Sequence, residues 1–339
     1  CCPYKFLDYL LSCLNRAKYF LIYASNTCCN SEALGFIFGR FSGGGVNSNG
    51  EGSAALRIFV FIYITTLLFT CTATDVPGTP DRHKPVKLNL EYADSLWSLR
   101  ADTANAQAAL AVFQQLAESD STSIELWAKL SRAYYYCGQY LTHVPQTQDS
   151  LFMRGYEASQ TVLKQNSNYR NLLFSTGDEG MAVRGLDDNS IEALYWGMAN
   201  YGQWLTTKSS LVRKGQRELI WATLEHINDL DSTFYFGAYY RFKGALLGSD
   251  PETQVDTSRI KKAFEESIRI APDYFGNYTL MAQYYCPLAK DKNLFYQLLT
   301  KVVTATQNPD LPYYPENIHE KALAERLMIK AEKENWFNL

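Results

Sequence analysis

The spacing of apolar residues restricts the fold of this chain more than any other feature of its sequence. From residue 90 onward, apolar side chains recur three and four positions apart, which is the period of an α-helix. No stretch alternates apolar and polar residues with the period of two that indicates a strand. The pattern predicts an all-α fold with helices at residues 90–99, 103–119, 123–141, 150–165, 189–206, 211–230, 234–247, 257–270, 276–288, 292–307 and 316–334.

Two parts of this region share a packing pattern that is typical of stacked helical hairpins. In a tetratricopeptide unit of about 34 residues, small and aromatic residues recur at fixed offsets where helices cross. Two registers fit, one at Ala109, Phe113, Trp127, Leu130, Ser131 and Tyr134, and one at Phe264, Pro272, Tyr278, Met281, Ala282 and Tyr285. We expect residues 90–339 to form an α-solenoid of irregular tetratricopeptide-like helical hairpins. The expected interruptions are loops at 143–149 and 248–256 and a long break at 168–189.

The segment before the helical region has the layout of a secretory signal. Residues 58–69 are a continuous apolar run after Arg57, with the length of a signal-peptide core and too short for a typical membrane span. The run ends in LFTC, which resembles a bacterial lipobox and predicts lipidation of Cys71; ordinary cleavage after Ala73 is the alternative. Residues 56–73 are thus a predicted signal peptide and 74–89 a tether.

A signal peptide works only at an N-terminus, so residues 1–55 need a separate explanation. We expect them to be an upstream extension that is disordered or foreign to the native mature protein. In the alternative, the extension is native and the apolar run anchors it in a membrane.

Composition and motifs argue against catalysis and against nucleic-acid binding. The formal net charge of the 339 residues is -3, which gives no electrostatic basis for binding nucleic acid. The four histidines are isolated, and nucleophile elbows, phosphate-binding loops and metal-ligand spacings are missing from the sequence. We predict no catalytic residue, no metal, no cofactor and no enzymatic activity.

Cys137 and Cys286 lie in aromatic helical segments and are expected to be buried thiols, with a single bridge as the alternative.

The aromatic segment EALYWGMANYGQWL, residues 192–205, is the first candidate for a ligand site. On a helix, Trp196, Asn200 and Trp204 share one face, and two glycines in the same segment indicate a close neighbouring helix. If this face borders a cavity, one amide between two indoles would suit an apolar ligand with a polar anchor. If it is only core, the rings pack against neighbouring helices, which is the commoner outcome for tryptophan.

Arg241 is the second candidate, because it stands among aromatic residues in YYRF, residues 239–242. It would place its guanidinium over rings or bind a ligand carboxylate. A structural ion pair or a surface position is the alternative. The predicted ligand-binding residues are Tyr195, Trp196, Asn200, Trp204, Tyr240 and Arg241.

Three stretches resemble a known family: EALYWGMANYGQW, LDSTFYFGAYYRFKGALLG and FEESIRIAPDYFGNYTLMAQYY. Together they are similar to the T component of TRAP transporters, the TatT-like lipoproteins, over most of the chain from residue 90. The resemblance implies a periplasmic, lipid-anchored protein of tetratricopeptide-like hairpins that assembles as a homotrimer with a channel or cleft. It also implies a periplasmic substrate-binding protein as partner, a possible hydrophobic ligand, and no catalytic motif.

Two hypotheses follow from the residues and the resemblance together. In the first, the protein is an accessory component of a TRAP-type solute uptake system that docks a substrate-binding protein and holds a small hydrophobic or organic-acid ligand. In the second, it is a generic tetratricopeptide-like protein-protein scaffold lipoprotein without a small-molecule ligand.

Overall fold

The computed structural model describes residues 88–249 and 256–337, and every regular element in these ranges is helical. The α-helices are α1 Leu90–Ser98, α2 Thr103–Ser119, α3 Ile124–Tyr136, α4 Pro145–Leu163, α5 Ser167–Thr176, α6 Glu179–Val183, α7 Ile191–Thr206, α8 Ser210–Gly215, α9 Arg217–Leu230, α10 Phe234–Ser249, α11 Thr257–Ile270, α12 Gly276–Tyr284, α13 Lys292–Thr304 and α14 Tyr314–Lys333. A π-helical turn, Cys137–Leu141, continues α3, and a 3₁₀ turn, Asp188–Ser190, precedes α7. The predicted all-α class is confirmed for these residues. The predictions for residues 1–55, the signal peptide, Cys71 and most of the tether lie outside them.

Side-chain caps fix where many of these helices begin. Asn89, Asp102 and Ser123 each accept a hydrogen bond from a backbone N–H in the first turn of the helix that follows. Such caps satisfy donors that have no partner inside the helix. Asp256 caps α11 in the same way. Because such caps can be recognised in the local sequence, α2 and α11 have the bounds that the sequence predicts, 103–119 and 257–270.

The predicted break at 168–189 is wrong, because most of it is helical. Helix α5 begins after Asn166, whose side chain accepts from two backbone N–H groups, and ends at Gly177, which adopts a left-handed φ of 68°. The short helix α6 follows directly, capped by Asp178. The predicted loop at 143–149 is also wrong, since α4 begins at Pro145, a residue that favours the first turn. The predicted helix 211–230 is two helices that meet at Gln216.

Helices pack mainly against helices that are near them in the chain, and α7 lies at the centre of one core cluster. It contacts α3, α4 and α9, and its residues Leu194, Tyr195, Trp196 and Met198 are all buried. Eleven of the twelve predicted packing positions are at least partly buried, Pro272 being exposed. Cys137 and Cys286 are both buried free thiols, as expected, and burial raises the pKa of each to about 12.

The last helix closes back onto the first part of the described chain. Glu316 of α14 forms hydrogen bonds with Arg100, which lies between α1 and α2, and Glu320 accepts one from Tyr140 in the π turn. These contacts join residues 216 and 180 positions apart, respectively. The helices between them surround a cavity, which forms the candidate site.

In the described ranges, no helix has both the length and the apolar character needed to cross a membrane.

The two glycines of α7 differ in what surrounds them, so the same substitution is expected to act in opposite directions. A Cβ at Gly197 would overlap the hydroxyl oxygen of Ser159 on α4, whereas a Cβ at Gly202 would meet no atom within 4 Å. We expect Gly197→Ala to lower the free energy of unfolding by about 1–3 kcal/mol through overpacking. Gly202→Ala should raise it by about 0.5–1 kcal/mol through helix propensity. Urea unfolding of both variants checks this; equal gains in stability would contradict the close helix contact.

Candidate ligand-binding site

A cavity of about 600 Å³ lies between α3, the π turn, α7, α10, α12 and α14. Its volume falls in the range of ordinary small-molecule pockets, about 300–1,000 Å³. Aromatic side chains form much of its wall, namely Tyr135, Tyr136, Tyr140, Tyr195, Trp196, Tyr235, Phe242, Tyr274 and Tyr284. Burial raises the pKa of the Tyr135, Tyr195 and Tyr235 hydroxyls, so these groups remain neutral donors and acceptors at neutral pH.

Three of the six predicted site residues line this cavity: Tyr195, Trp196 and Arg241. The rings of Tyr195 and Trp196 meet edge to face with centroids 4.6 Å apart. The Tyr195 hydroxyl accepts a hydrogen bond from Arg241 Nη2 at 3.1 Å, which joins α7 to α10. Residues that lie 46 positions apart in the sequence are therefore in direct contact.

The other three predicted residues, Asn200, Trp204 and Tyr240, are not part of the cavity wall. Asn200 is fully buried and donates to the backbone carbonyl of Ser131 at 2.9 Å and to that of Trp196 at 2.8 Å. It thereby fixes α7 against α3.

Trp204 and Tyr240 pack against neighbours within or beside their own helices. The Trp204 ring stacks on Tyr201 with centroids 5.6 Å apart and lies 4.2 Å from the Lys208 ammonium. The ring of Tyr240 meets that of Tyr239 edge to face. Of the predicted stripe Trp196–Asn200–Trp204, only Trp196 borders the cavity.

Arg241 is a buried cation whose partners are all neutral. Its side chain is only 2% exposed, and Nη1 donates to the side-chain oxygen of Asn277 at 2.9 Å and to the Phe236 carbonyl at 3.2 Å. Its guanidinium carbon lies 4.8 Å from the centre of the Tyr274 ring. Among the described residues, no carboxylate oxygen lies within the 4.0 Å that defines an ion pair with it. The predicted alternatives of a surface position and a structural ion pair are therefore both wrong for this part of the chain.

A left-handed turn at the start of α10 brings aromatic rings to the cavity. Tyr235, Phe236 and Gly237 have φ values of 41°, 62° and 77°, a conformation that costs non-glycine residues about 1–2 kcal/mol each. Arg241 and Asn277 both donate to the Phe236 carbonyl and so hold the turn in place. The strained turn places the Tyr235 ring 4.7 Å from that of Trp196.

An acidic residue that the sequence reasoning missed organises a second part of the wall. Glu316 is 3% exposed and accepts two hydrogen bonds from Arg100, at 2.7 and 3.2 Å. A third, at 3.4 Å, comes from Arg132, whose guanidinium carbon lies 5.3 Å from the ring centres of Trp196 and Tyr235. Burial by itself would raise the pKa of Glu316, but the charges of the two arginines outweigh it and lower that pKa.

Glu320, also missed, lies one helical turn further along α14 and has different surroundings. It is 4% exposed and accepts hydrogen bonds from the hydroxyls of Tyr140 and Thr279. No lysine, arginine or histidine of the described ranges lies within 4.0 Å of its carboxyl group. Burial raises the pKa of Glu320, and its two hydrogen bonds only partly offset this effect.

A family model described as TRAP transporter T-component matches residues 143–337. The chain belongs to this family. No curated protein matches the chain. The resemblance noted from the sequence is thus confirmed, and membership makes the protein an accessory component of a transport system.

The matched segment of this T-component supplies most of the cavity, including Tyr195, Trp196, Arg241 and both glutamates. Five lining residues precede the match, namely Arg132, Tyr135, Tyr136, Gln139 and Tyr140. The helices before residue 143 are therefore part of the site. The described ranges hold no group of three or more histidine, cysteine, aspartate or glutamate side chains placed to bind a metal ion.

Proposed function

We propose that this protein is a periplasmic accessory component of a TRAP-type uptake system that holds a small organic acid in its aromatic cavity. One observation carries the proposal: the cavity wall contains a buried guanidinium, Arg241, with only neutral partners in the described chain. An uncompensated buried cation is costly unless an anion pairs with it. A ligand carboxylate would provide that anion and form charge-assisted hydrogen bonds with it.

The proposed ligand pose uses Tyr195, Trp196 and Arg241 directly. Arg241 Nη2 makes its longest bond, 3.4 Å, to the Tyr235 carbonyl, and a carboxylate oxygen would replace this weak partner. The Tyr195 hydroxyl lies beside the same nitrogen and would donate to the same carboxylate. The rings of Trp196 and its neighbours would cover the apolar part of the ligand. For Asn200, Trp204 and Tyr240, ligand binding stays a prediction without a cavity contact to support it.

The remaining parts of the proposal rest on family membership and on how the helices pack. We infer that the hairpins form an irregular tetratricopeptide-like solenoid, because each helix packs chiefly on helices close to it in the chain. Docking of a periplasmic substrate-binding protein and assembly as a homotrimer are proposed from the family alone. Lipid anchoring through Cys71 is proposed from the family and from the lipobox-like LFTC, residues 68–71.

Paired ligands of equal length test the role of Arg241. We expect hexanoate to quench tryptophan fluorescence and to bind about tenfold or more tightly than 1-hexanol, because charge-assisted hydrogen bonds contribute about 1.5–3 kcal/mol. Arg241→Met should remove this preference, whereas Arg241→Lys should keep part of it. Arg269→Met removes an exposed arginine of α11 and should bind as the wild type does.

Circular dichroism and thermal melting of each variant separate lost binding from lost folding. Equal affinity for the acid and the alcohol in the folded wild type would contradict the proposed carboxylate site. Retention of a substrate-binding protein from periplasmic extract, without binding of any organic acid, would favour the scaffold hypothesis instead.

A further inference from the structure

Two buried groups of opposite charge type border the same cavity without pairing with each other. Arg241 on α10 and Glu320 on α14 both line it, and each is at most 4% exposed. Their charged atoms are not within the 4.0 Å of an ion pair. Each is held in place by neutral hydrogen-bond partners, Arg241 by Asn277 and Glu320 by Tyr140 and Thr279. The fold therefore keeps the two groups apart in the cavity wall.

A buried glutamate on α14 can have cationic partners, as Glu316 shows. It lies four residues before Glu320, on the same face of the helix, and two arginines neutralise it. Glu320 has no cation at that distance in the described residues. Of the remaining titratable residues of the wall, Arg132 pairs with Glu316, whereas His143, Arg326 and Lys330 are exposed and belong to the solvent side of the cavity.

The hydrogen bonding of Glu320 leaves room for a cationic donor. Each carboxylate oxygen accepts one hydrogen bond from the protein, Oε1 from Tyr140 and Oε2 from Thr279. A carboxylate oxygen has two lone pairs, so each oxygen retains capacity for a further donor. An ammonium group carries three such donors and a positive charge, which is what this buried acid lacks.

We propose that the cavity is shaped for a zwitterion whose carboxylate pairs with Arg241 and whose ammonium group pairs with Glu320. This inference rests on the proposed carboxylate site and adds the chemical class of the ligand. Binding would give each buried charge an opposite partner. The raised pKa of Glu320 agrees with a group that lacks a cation, and an ammonium group beside it would favour its ionised form.

A series of ω-amino carboxylates with three to eight carbons, each paired with the unsubstituted carboxylate of equal length, tests the proposal by calorimetry. At one or more lengths the amino acid should bind at least tenfold more tightly than its partner. Glu320→Gln should remove that preference without weakening the binding of the plain carboxylate, because it takes a negative charge out of the same cavity wall. Glu325→Gln, an exposed acid on the same helix, should behave as the wild type does.

The outcomes separate this proposal from the one on which it rests. If carboxylates bind but the amino form has no advantage at any length, the zwitterion is refuted and the organic-acid site stands. The zwitterion is also refuted, and the organic-acid site again stands, if folded Glu320→Gln keeps the preference. If no carboxylate of either kind binds, both proposals fail.

Discussion

Replacing Glu316 with glutamine is expected to lower the free energy of unfolding by about 3–5 kcal/mol at neutral pH, the cost of breaking a buried ion pair. Glu316 accepts hydrogen bonds from Arg100 at 2.7 and 3.2 Å, and Arg100 is itself 4% exposed. Without the carboxylate, Arg100 is a buried charge with no counter-ion among the described residues, and Arg132 loses its ion-pair partner as well. Urea unfolding followed by circular dichroism measures the loss.

A second arginine–glutamate pair of similar geometry, but at the surface, is the matched control. Arg269 forms two hydrogen bonds with Glu266, at 2.6 and 2.8 Å, while its side chain is 71% exposed. Solvent screens such pairs, so Glu266→Gln should leave stability unchanged within error. If Glu266→Gln and Glu316→Gln destabilise the protein equally, burial is not the cause of the effect.

The pH dependence of the Glu316→Gln effect has a definite sign. The pKa of Glu316 in the folded protein lies below its ordinary value of 4.5. Such a carboxyl contributes stability that is fully present above the unfolded-state pKa and is lost as pH falls through the folded-state pKa. The stability difference between wild type and Glu316→Gln should therefore shrink below about pH 4.5. Glu320 has the opposite shift and is present in both proteins; the charge of Glu316 is only a minor cause of that shift, so the Glu320 contribution largely cancels from the difference.

The helices that the sequence predicted correctly are those whose start and stop signals are local. Asp102 and Asp256 cap α2 and α11, and both helices have the predicted bounds. The same kind of signal exists for α5 in Asn166 and Gly177, which bound a helix inside the segment predicted to be a break.

The π turn after α3 was not predictable in the same way. The sequence placed a helix up to residue 141, and the helical extent is correct. Inserting one extra residue per turn leaves no periodic signal over five residues. Its consequence is nevertheless functional, because the turn carries Tyr140, the hydrogen-bond partner of Glu320.

Only half of the predicted site residues line the cavity. A high density of aromatic residues indicates which segment lies near a site, but it does not indicate which of its side chains face that site. Tyr195, Trp196 and Arg241 line it, whereas helix rotation directs Trp204 elsewhere. Glu316 was missed because its partner Arg100 lies 216 residues away. One local signal for the glutamates did exist. The buried stripe of α14 has helical spacing and passes through both of them: Glu316, Glu320, Ala324, Leu327 and Ala331.

The left-handed turn at residues 235–237 could not be predicted from the local sequence. Aromatic residues such as Tyr235 and Phe236 prefer negative φ, so no propensity predicts φ values of 41° and 62°. Only contacts from other helices hold such a conformation. One of those contacts is Asn277, which belongs to α12 and bonds to the Phe236 carbonyl at 3.4 Å.

Removing the Asn277 side chain is therefore expected to destabilise the protein by about 3 kcal/mol, since several buried groups lose their partner together. The side chain is fully buried; its oxygen accepts from Arg241, and its nitrogen donates to the carbonyls of Ser267 at 2.8 Å and Ala271 at 3.1 Å. In Asn277→Ala the guanidinium loses an acceptor and the two carbonyls at the end of α11 lose a donor. Urea unfolding of wild type and variant gives the difference.

Asn308→Ala is the matched control, because Asn308 is exposed and its side chain bonds only to the backbone N–H of Asp310 among the described residues. It should change stability little, and equal losses in both variants would contradict a special role for Asn277. Asn277→Asp divides the effect further. It keeps an acceptor for Arg241 but replaces the amide donor with a carboxylate oxygen that faces the three carbonyls to which the amide donates. The stability of Asn277→Asp reports the balance between the lost bonds to α11 and the new ion pair with Arg241. Because it also gives Arg241 a carboxylate partner, folded Asn277→Asp should bind hexanoate more weakly than the wild type does.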